Sequence, residues 1–388
     1  MFNVKLRNIY LFTLFIALFY GLTPLFSSYI FGSDVKNLGI FSFYFSVYFL
    51  LVSLLFFVPK KSKQIFLIQV NLNRIRTLQV ISLFLFISIN IALYGSFQKA
   101  FIDSYISRTG VDFSGPIALI FYPILVLFTS SLSIYSISIL TSKRRILDLV
   151  LLSLSILTIF ALGSRNILLW SLSGVALFFI SKVKTKSLIF FLFGIYFFTI
   201  FFAYMRNTGI ISMLTKSDFN SIKAPDKTYY DPLIHEFGSS YRTFDMVLNS
   251  FFPLSNSPYG LKESYILNIL PSFLKPTEFI TQTNYISQIL AEPGEGLGNS
   301  PMTELLINGT SALIFFLLNI LIVIYPAFYL SKKSPTFSFL SLSLLIAFSF
   351  NIWRIGSPEI LKMYLSSLLS ISFVAFLSRF RVLKSQNK

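Results

Sequence analysis

Long apolar stretches alternate with short basic connectors along most of this chain. Apolar runs near the ~20 residues needed to cross a bilayer fall at 9–30, 38–58, 77–97, 115–140, 146–162, 166–181, 187–205, 306–330, 335–353 and 359–377. The pattern therefore predicts an all-α polytopic membrane protein with about ten transmembrane helices. The pair 146–162 and 166–181 is short, and Gly163-Ser164-Arg165-Asn166 interrupts it. Lys143, Arg144 and Arg145 precede the pair, and Lys182, Lys184 and Lys186 follow it. Two basic clusters on one side of a membrane require a hairpin between them. The first run, from Ile9, has no small-residue cleavage site and reads as a retained helix.

Between 206 and 305 the long apolar runs stop. The chain so divides into seven helices over 1–205, a large outer segment over 206–305 and three helices over 306–388. The middle segment is rich in Tyr, Pro, Gly and Asn, and its aromatic and apolar content argues against disorder. Met246–Pro253 and Tyr265–Leu274 predict short amphipathic or re-entrant helices at the membrane surface.

Composition agrees with the pattern. The 388 residues are 55% hydrophobic and 12% charged, with mean hydropathy +0.74, whereas a soluble domain carries about 25% charged residues. The net charge of +17 looks at first like a nucleic-acid signal, but its distribution says otherwise. With both termini cytoplasmic, the inner segments hold 19 of the 32 basic residues and one of the 15 acids, Asp148. That asymmetry is an orientation signal and an anionic-lipid contact, not a folded basic face. Cysteine is absent and His235 is the single histidine, so thiol chemistry and a Cys/His zinc site are excluded. No metal or cofactor is expected.

Against this background four arginines stand out: Arg165, Arg206, Arg242 and Arg354 all fall on the outer side. Arginines there are either interfacial anchors that snorkel or contacts for an anion, such as a lipid-linked phosphate. Guanidinium suits phosphate because its planar donors bind two oxygens at once. Asn166 opens the helix after Arg165, where the N-terminus itself favours an anion. Arg206 follows Met205 at the end of the seventh apolar run, and Arg354 follows Trp353 at the end of the ninth.

His235-Glu236-Phe237-Gly238-Ser239-Ser240-Tyr241-Arg242-Thr243-Phe244-Asp245 places an imidazole, two carboxylates and a guanidinium in eleven residues. Glu236 or His235 is a candidate general base. If the chain is helical from Ser239, Arg242 and Asp245 share a face and can pair. Gly294-Glu295-Gly296-Leu297-Gly298 lacks the strand and Gly-Lys-Ser/Thr ending of a nucleotide loop. It reads as a flexible lead-in to Glu304, either a functional carboxylate or a cap on the helix dipole.

Residues 145–358 resemble the Wzy-type O-antigen and capsule repeat-unit polymerases. The resemblance rests on Gly163-Ser164-Arg165-Asn166 and Arg206, then on Glu236-Phe237-Gly238-Ser239-Ser240-Tyr241-Arg242-Thr243 and Tyr259-Gly260-Leu261-Lys262-Glu263-Ser264-Tyr265. Leu270-Pro271-Ser272-Phe273-Leu274-Lys275-Pro276 and Glu304-Leu305-Leu306-Ile307-Asn308-Gly309 complete it, with Leu306 standing where an aromatic is expected. What the resemblance implies is a C-type glycosyltransferase architecture in the bacterial inner membrane. It would join oligosaccharide repeat units carried on undecaprenyl pyrophosphate, with a flippase and a chain-length regulator as partners. Arg165, Arg206, Arg242 and Arg354 would contact pyrophosphate, Glu236 or His235 would activate the acceptor hydroxyl, and Tyr241, Tyr259 and Tyr265 would line a wet cleft.

Two other functions fit parts of the pattern. An O-antigen ligase shares the outer arginines and can use His235. A lipid-linked oligosaccharide flippase needs charges deep in several helices, and the apolar runs here hold almost none.

Overall fold

The computed structural model describes residues 2–31, 37–55, 63–103, 116–141, 146–162, 165–184, most of 187–198, 239–249, 259–270, 274–276, 279–282, 285, 289, 300–329 and 334–384. The chain is mostly helical. In order, α1 is Leu6–Phe31, α2 Leu38–Leu55, α3 Leu72–Tyr94, α4 Pro116–Thr141, α5 Ile146–Leu162 and α6 Arg165–Lys182. The outer segment contributes α7, Ser239–Asn249, and α8, Leu261–Ile269. Then follow α9, Pro301–Asn308, α10, Thr310–Ile324, α11, Pro335–Asn351, and α12, Ser357–Leu377.

Five of these are long and apolar enough to cross a membrane, over Leu6–Pro24, Leu72–Tyr94, Leu119–Thr141, Thr310–Ala327 and Ser357–Leu377. Leu38–Ser53, Ile146–Leu162, Ile167–Lys182 and Pro335–Asn351 are shorter apolar helices. Only part of the expected 187–205 helix lies within the described residues, and its described positions are mainly helical. The expected run 306–330 appears as a candidate span over Thr310–Ala327, with its first residues belonging to α9. Gly309 sits at φ +57 between α9 and α10, a left-handed backbone that glycine adopts at no steric cost.

The chain is mostly helical, in keeping with the all-α expectation, and it adds three short strands that the sequence did not announce. Phe2–Lys5 (β1), Lys63–Gln69 (β2) and Arg381–Lys384 (β3) form an antiparallel sheet in the order β1-β2-β3. Phe2 pairs with Phe66, and Phe66 with Lys384. The sheet gathers the start of α1, the α2–α3 connector and the exit of α12 at one end of the bundle. Asn8 extends this end to α6, donating 2.9 Å hydrogen bonds to the carbonyls of Ile180 and Val183. These are carbonyls that the end of a helix leaves without an internal partner.

The central helix is α11, buried continuously from Ser338 to Asn351. A helix apolar on every face belongs inside, and α1, α6 and α12 surround this one. Where two helices pass closest, side chains are missing. A Cβ on Gly21 would lie 2.2 Å from the Phe45 ring, which itself packs 5.5 Å from Trp353. Gly21→Ala is therefore expected to cost about 1–3 kcal/mol by overpacking, read as a lower thermal midpoint in detergent with α-helical content unchanged.

The α3, α4 and α5 faces are joined by polar groups. Arg76 grips Asp148 through two oxygens, at 2.8 and 3.1 Å, and Tyr135 donates to the same carboxylate at 3.0 Å. One layer away, Gln79 donates to Ser155 at 2.9 Å and accepts from Ser131 at 2.6 Å. Burial of these groups is sustained because each finds a partner.

Candidate functional site

The pieces of the outer segment assemble at the end of the bundle away from the sheet. Here α7 lies against the start of α2: Tyr241 meets Phe41 edge-on at 5.3 Å, and Phe244 meets it at 5.5 Å. Asn37, just before α2, donates to Asp245 at 3.0 Å. The helix does begin at Ser239, which puts Arg242 and Asp245 on one face. Tyr241 is buried at 5% exposure, so its ring serves packing here and does not border an open cleft. Tyr265 is buried too, while Tyr259 is half-buried beside Phe279.

Next to α7, α9 enters the assembly. Pro301 takes the first helical position, where its missing N–H costs nothing, and Ser300 caps the Thr303 amide at 3.2 Å. All five residues from Pro301 to Leu305 are buried. The Glu304 carboxylate accepts a hydrogen bond from the Ser357 amide at 2.7 Å and another from the Ser357 hydroxyl. It thus caps a helix, but the one that begins 53 residues later, and its negative charge sits against the positive end of α12. Asn319 continues the chain of contacts: it donates to the Ser357 carbonyl at 3.0 Å and accepts from the Tyr265 hydroxyl at 2.8 Å. Burial, with Glu304 close by, pushes the Tyr265 phenol well above its ordinary value, so this phenol remains a neutral donor.

Arg354 lies in the turn between α11 and α12, half-buried, beside the fully buried Trp353. Its charge reaches Tyr20, which is in the middle of α1. Arg165 is the first residue of α6, and Asn166 the second; α5 and α6 are separate helices, as the hairpin requires. That turn lies at the same end as Arg354. Ile167 and Trp170 of α6 share a cavity wall with Met363 and Ser367 of α12. Arg206, His235 and Glu236 lie outside the described residues, as do the side chains of Arg165, Asn166 and Arg242.

A second group was not anticipated. Lys275 of the outer segment faces Glu359 and Lys362 of α12. It donates to the Asn268 carbonyl at 3.2 Å and side-chain oxygen at 3.0 Å. Burial, reinforced by the Lys362 charge and opposed by Glu359, pushes Lys275 down to about 8. Thr281 donates to Glu359, and Gln282 exchanges hydrogen bonds with Asn308 at 2.9 and 3.3 Å. The outer segment is thereby fastened to α9 and α12. A signal for this group exists in the sequence: Glu359 and Lys362 are charges in an otherwise apolar helix, a setting that marks function by default.

No cluster of His, Cys, Asp and Glu fit for a metal occurs among the described residues. The arrangement offers a half-buried guanidinium, a buried carboxylate bonded to a helix start, neutral phenol and amide donors, and a pair of amines. These are groups with the chemistry to bind and orient a polar anionic group. The chain matches no protein-family model, no curated protein and no solved structure.

Proposed function

We propose that the protein is a membrane-embedded glycosyltransferase that polymerises oligosaccharide repeat units carried on undecaprenyl pyrophosphate. In this reading ten spans, with both termini cytoplasmic, cross a bacterial inner membrane, and the site faces outward. Arg165, Arg206 and Arg354 hold the pyrophosphate, with Arg242 as a further phosphate or orienting contact. Glu236 or His235 takes the proton from the acceptor hydroxyl. The glycosyl bond to pyrophosphate breaks as the acceptor oxygen bonds to the sugar, and the lipid pyrophosphate leaves. Charge grows on that leaving group, and fixed cations aimed at it stabilise the transition state without a metal.

The observation that carries this reading is the half-buried Arg354, in the turn before α12 at the end of the bundle where Glu304 of α9 binds Ser357. A guanidinium at the end of a helix bundle is suited to an anion, and a lipid pyrophosphate is one whose oxygens its planar donors fit. Glu304 acts in it as a positioning residue, since it fixes the start of α12 three residues beyond Arg354.

The test is the lipid-linked glycan of cells lacking the protein. Single repeat units on the carrier are expected to accumulate, and the purified protein is expected to lengthen synthetic lipid-linked units. Accumulation of long lipid-linked chains would show a ligase instead. Units trapped on the cytoplasmic face would show a flippase.

A further inference from the structure

The glycosyl-transfer reading leaves two adjoining features without a role. One is a cavity of about 310 Å³ among α3, α4, α6 and α12, with Leu162 of α5 at its edge. The other is the amine pair of Lys275 and Lys362. The Tyr122 ring stands between them. Lys362 Nζ lies 4.9 Å from its centroid, and the phenol shares a 2.7 Å hydrogen bond with Ser366 that fixes the ring. Tyr122 also lines the cavity, together with Val126, Trp170 and Met363.

Each side asks for a different part of one ligand. The cavity wall is mainly apolar, and its volume is at the small end of the ~300–1,000 Å³ typical of ligand pockets; it takes one chain rather than two. Trp170, 4% exposed, has an indole N–H with no hydrogen-bond partner among the described residues. At the rim, two amines face each other beside the Glu359 carboxylate. Like charges so placed oppose one another, and an oxyanion between them removes the conflict.

We propose that this is a lipid-phosphate site, with one apolar chain in the cavity and the phosphate held by Lys275 and Lys362. The bland account of the amines is mechanical: they fasten the outer segment to α12. The lipid site does not depend on what glycan the lipid carries or on transfer chemistry, so the two proposals fail separately.

Binding of farnesyl phosphate, farnesol and inorganic phosphate to the full-length protein in detergent, followed by native mass spectrometry, decides the matter. Farnesyl phosphate is expected to bind at least about tenfold more tightly than farnesol or inorganic phosphate. Lys362→Gln and Val126→Phe are each expected to weaken it about tenfold, while Lys362→Arg keeps most of the affinity. Met363→Trp fills the same cavity from the half-buried side should Val126→Phe not fold. Equal affinity for farnesol, or binding unchanged by both a filled cavity and Lys362→Gln, would overturn the proposal. So would a Lys362→Gln variant that loses thermal stability yet binds as before. Phosphatidic acid separates the sources. If it binds as well as farnesyl phosphate the site serves bilayer phospholipid, and if it is excluded the site takes single-chain carriers.

Discussion

Arg354→Ala and Arg165→Ala are expected to lower repeat-unit addition about 10²–10³-fold, the usual cost of removing one donor aimed at developing charge. The readout is the length of lipid-linked glycan made by membranes matched for protein amount. Arg354 is the more telling of the two, because it is half-buried next to the fully buried Trp353. A lipid-facing anchor would tolerate lysine, which also snorkels. A phosphate clamp would not, since lysine loses the planar fork; Arg354→Lys should then make short chains at intermediate rate. Full-length polymer from a stably folded Arg354→Ala variant removes this residue from the site.

The largest loss of stability is expected at Asp148. Its carboxylate is buried, doubly bonded by Arg76 and bonded again by Tyr135. Asp148→Ala leaves the guanidinium without its counter-charge at the α3–α5 contact, which typically costs about 3–5 kcal/mol. Arg76 is about a quarter exposed, so water relieves part of this and places the loss at the lower end. Thermal unfolding in detergent measures it. The double change Arg76→Leu with Asp148→Leu should recover most of the loss, because the penalty lies in the orphaned charge and not in the missing attraction. A single variant as stable as the parent would show that the bridge is dispensable.

Local features were legible in the sequence, and distant pairings were not. The 146–162 span is reproduced residue for residue, and the basic clusters on either side of the α5–α6 pair correctly demanded a hairpin. The helix from Ser239 follows from spacing as well. In contrast, β1, β2 and β3 are four, seven and four residues long, and they join positions 2, 66 and 384. No local period announces such pairing, because β1 and β3 have four residues each and β2 has a continuous apolar run, Ile65–Ile68, in place of an alternation. Glu304 illustrates the same limit. Its place near a helix start correctly raised capping, yet the cap is given to α12. Lys275 is ordinary in sequence and becomes distinctive only when the outer segment folds onto Glu359 and Lys362. Tyr241 was expected to line a wet cleft, but α7 turns this ring onto Phe41 and buries it.

The three-stranded sheet also governs parity. Because β1, β2 and β3 pair with one another, every passage of the chain from one strand to the next must return it to the side it left. An even number of crossings therefore separates Lys5 from Lys63, and again Gln69 from Arg381. Any rearrangement that adds or removes a single crossing cannot keep the sheet. Topology is held here by backbone hydrogen bonds as well as by the charge of the connecting segments.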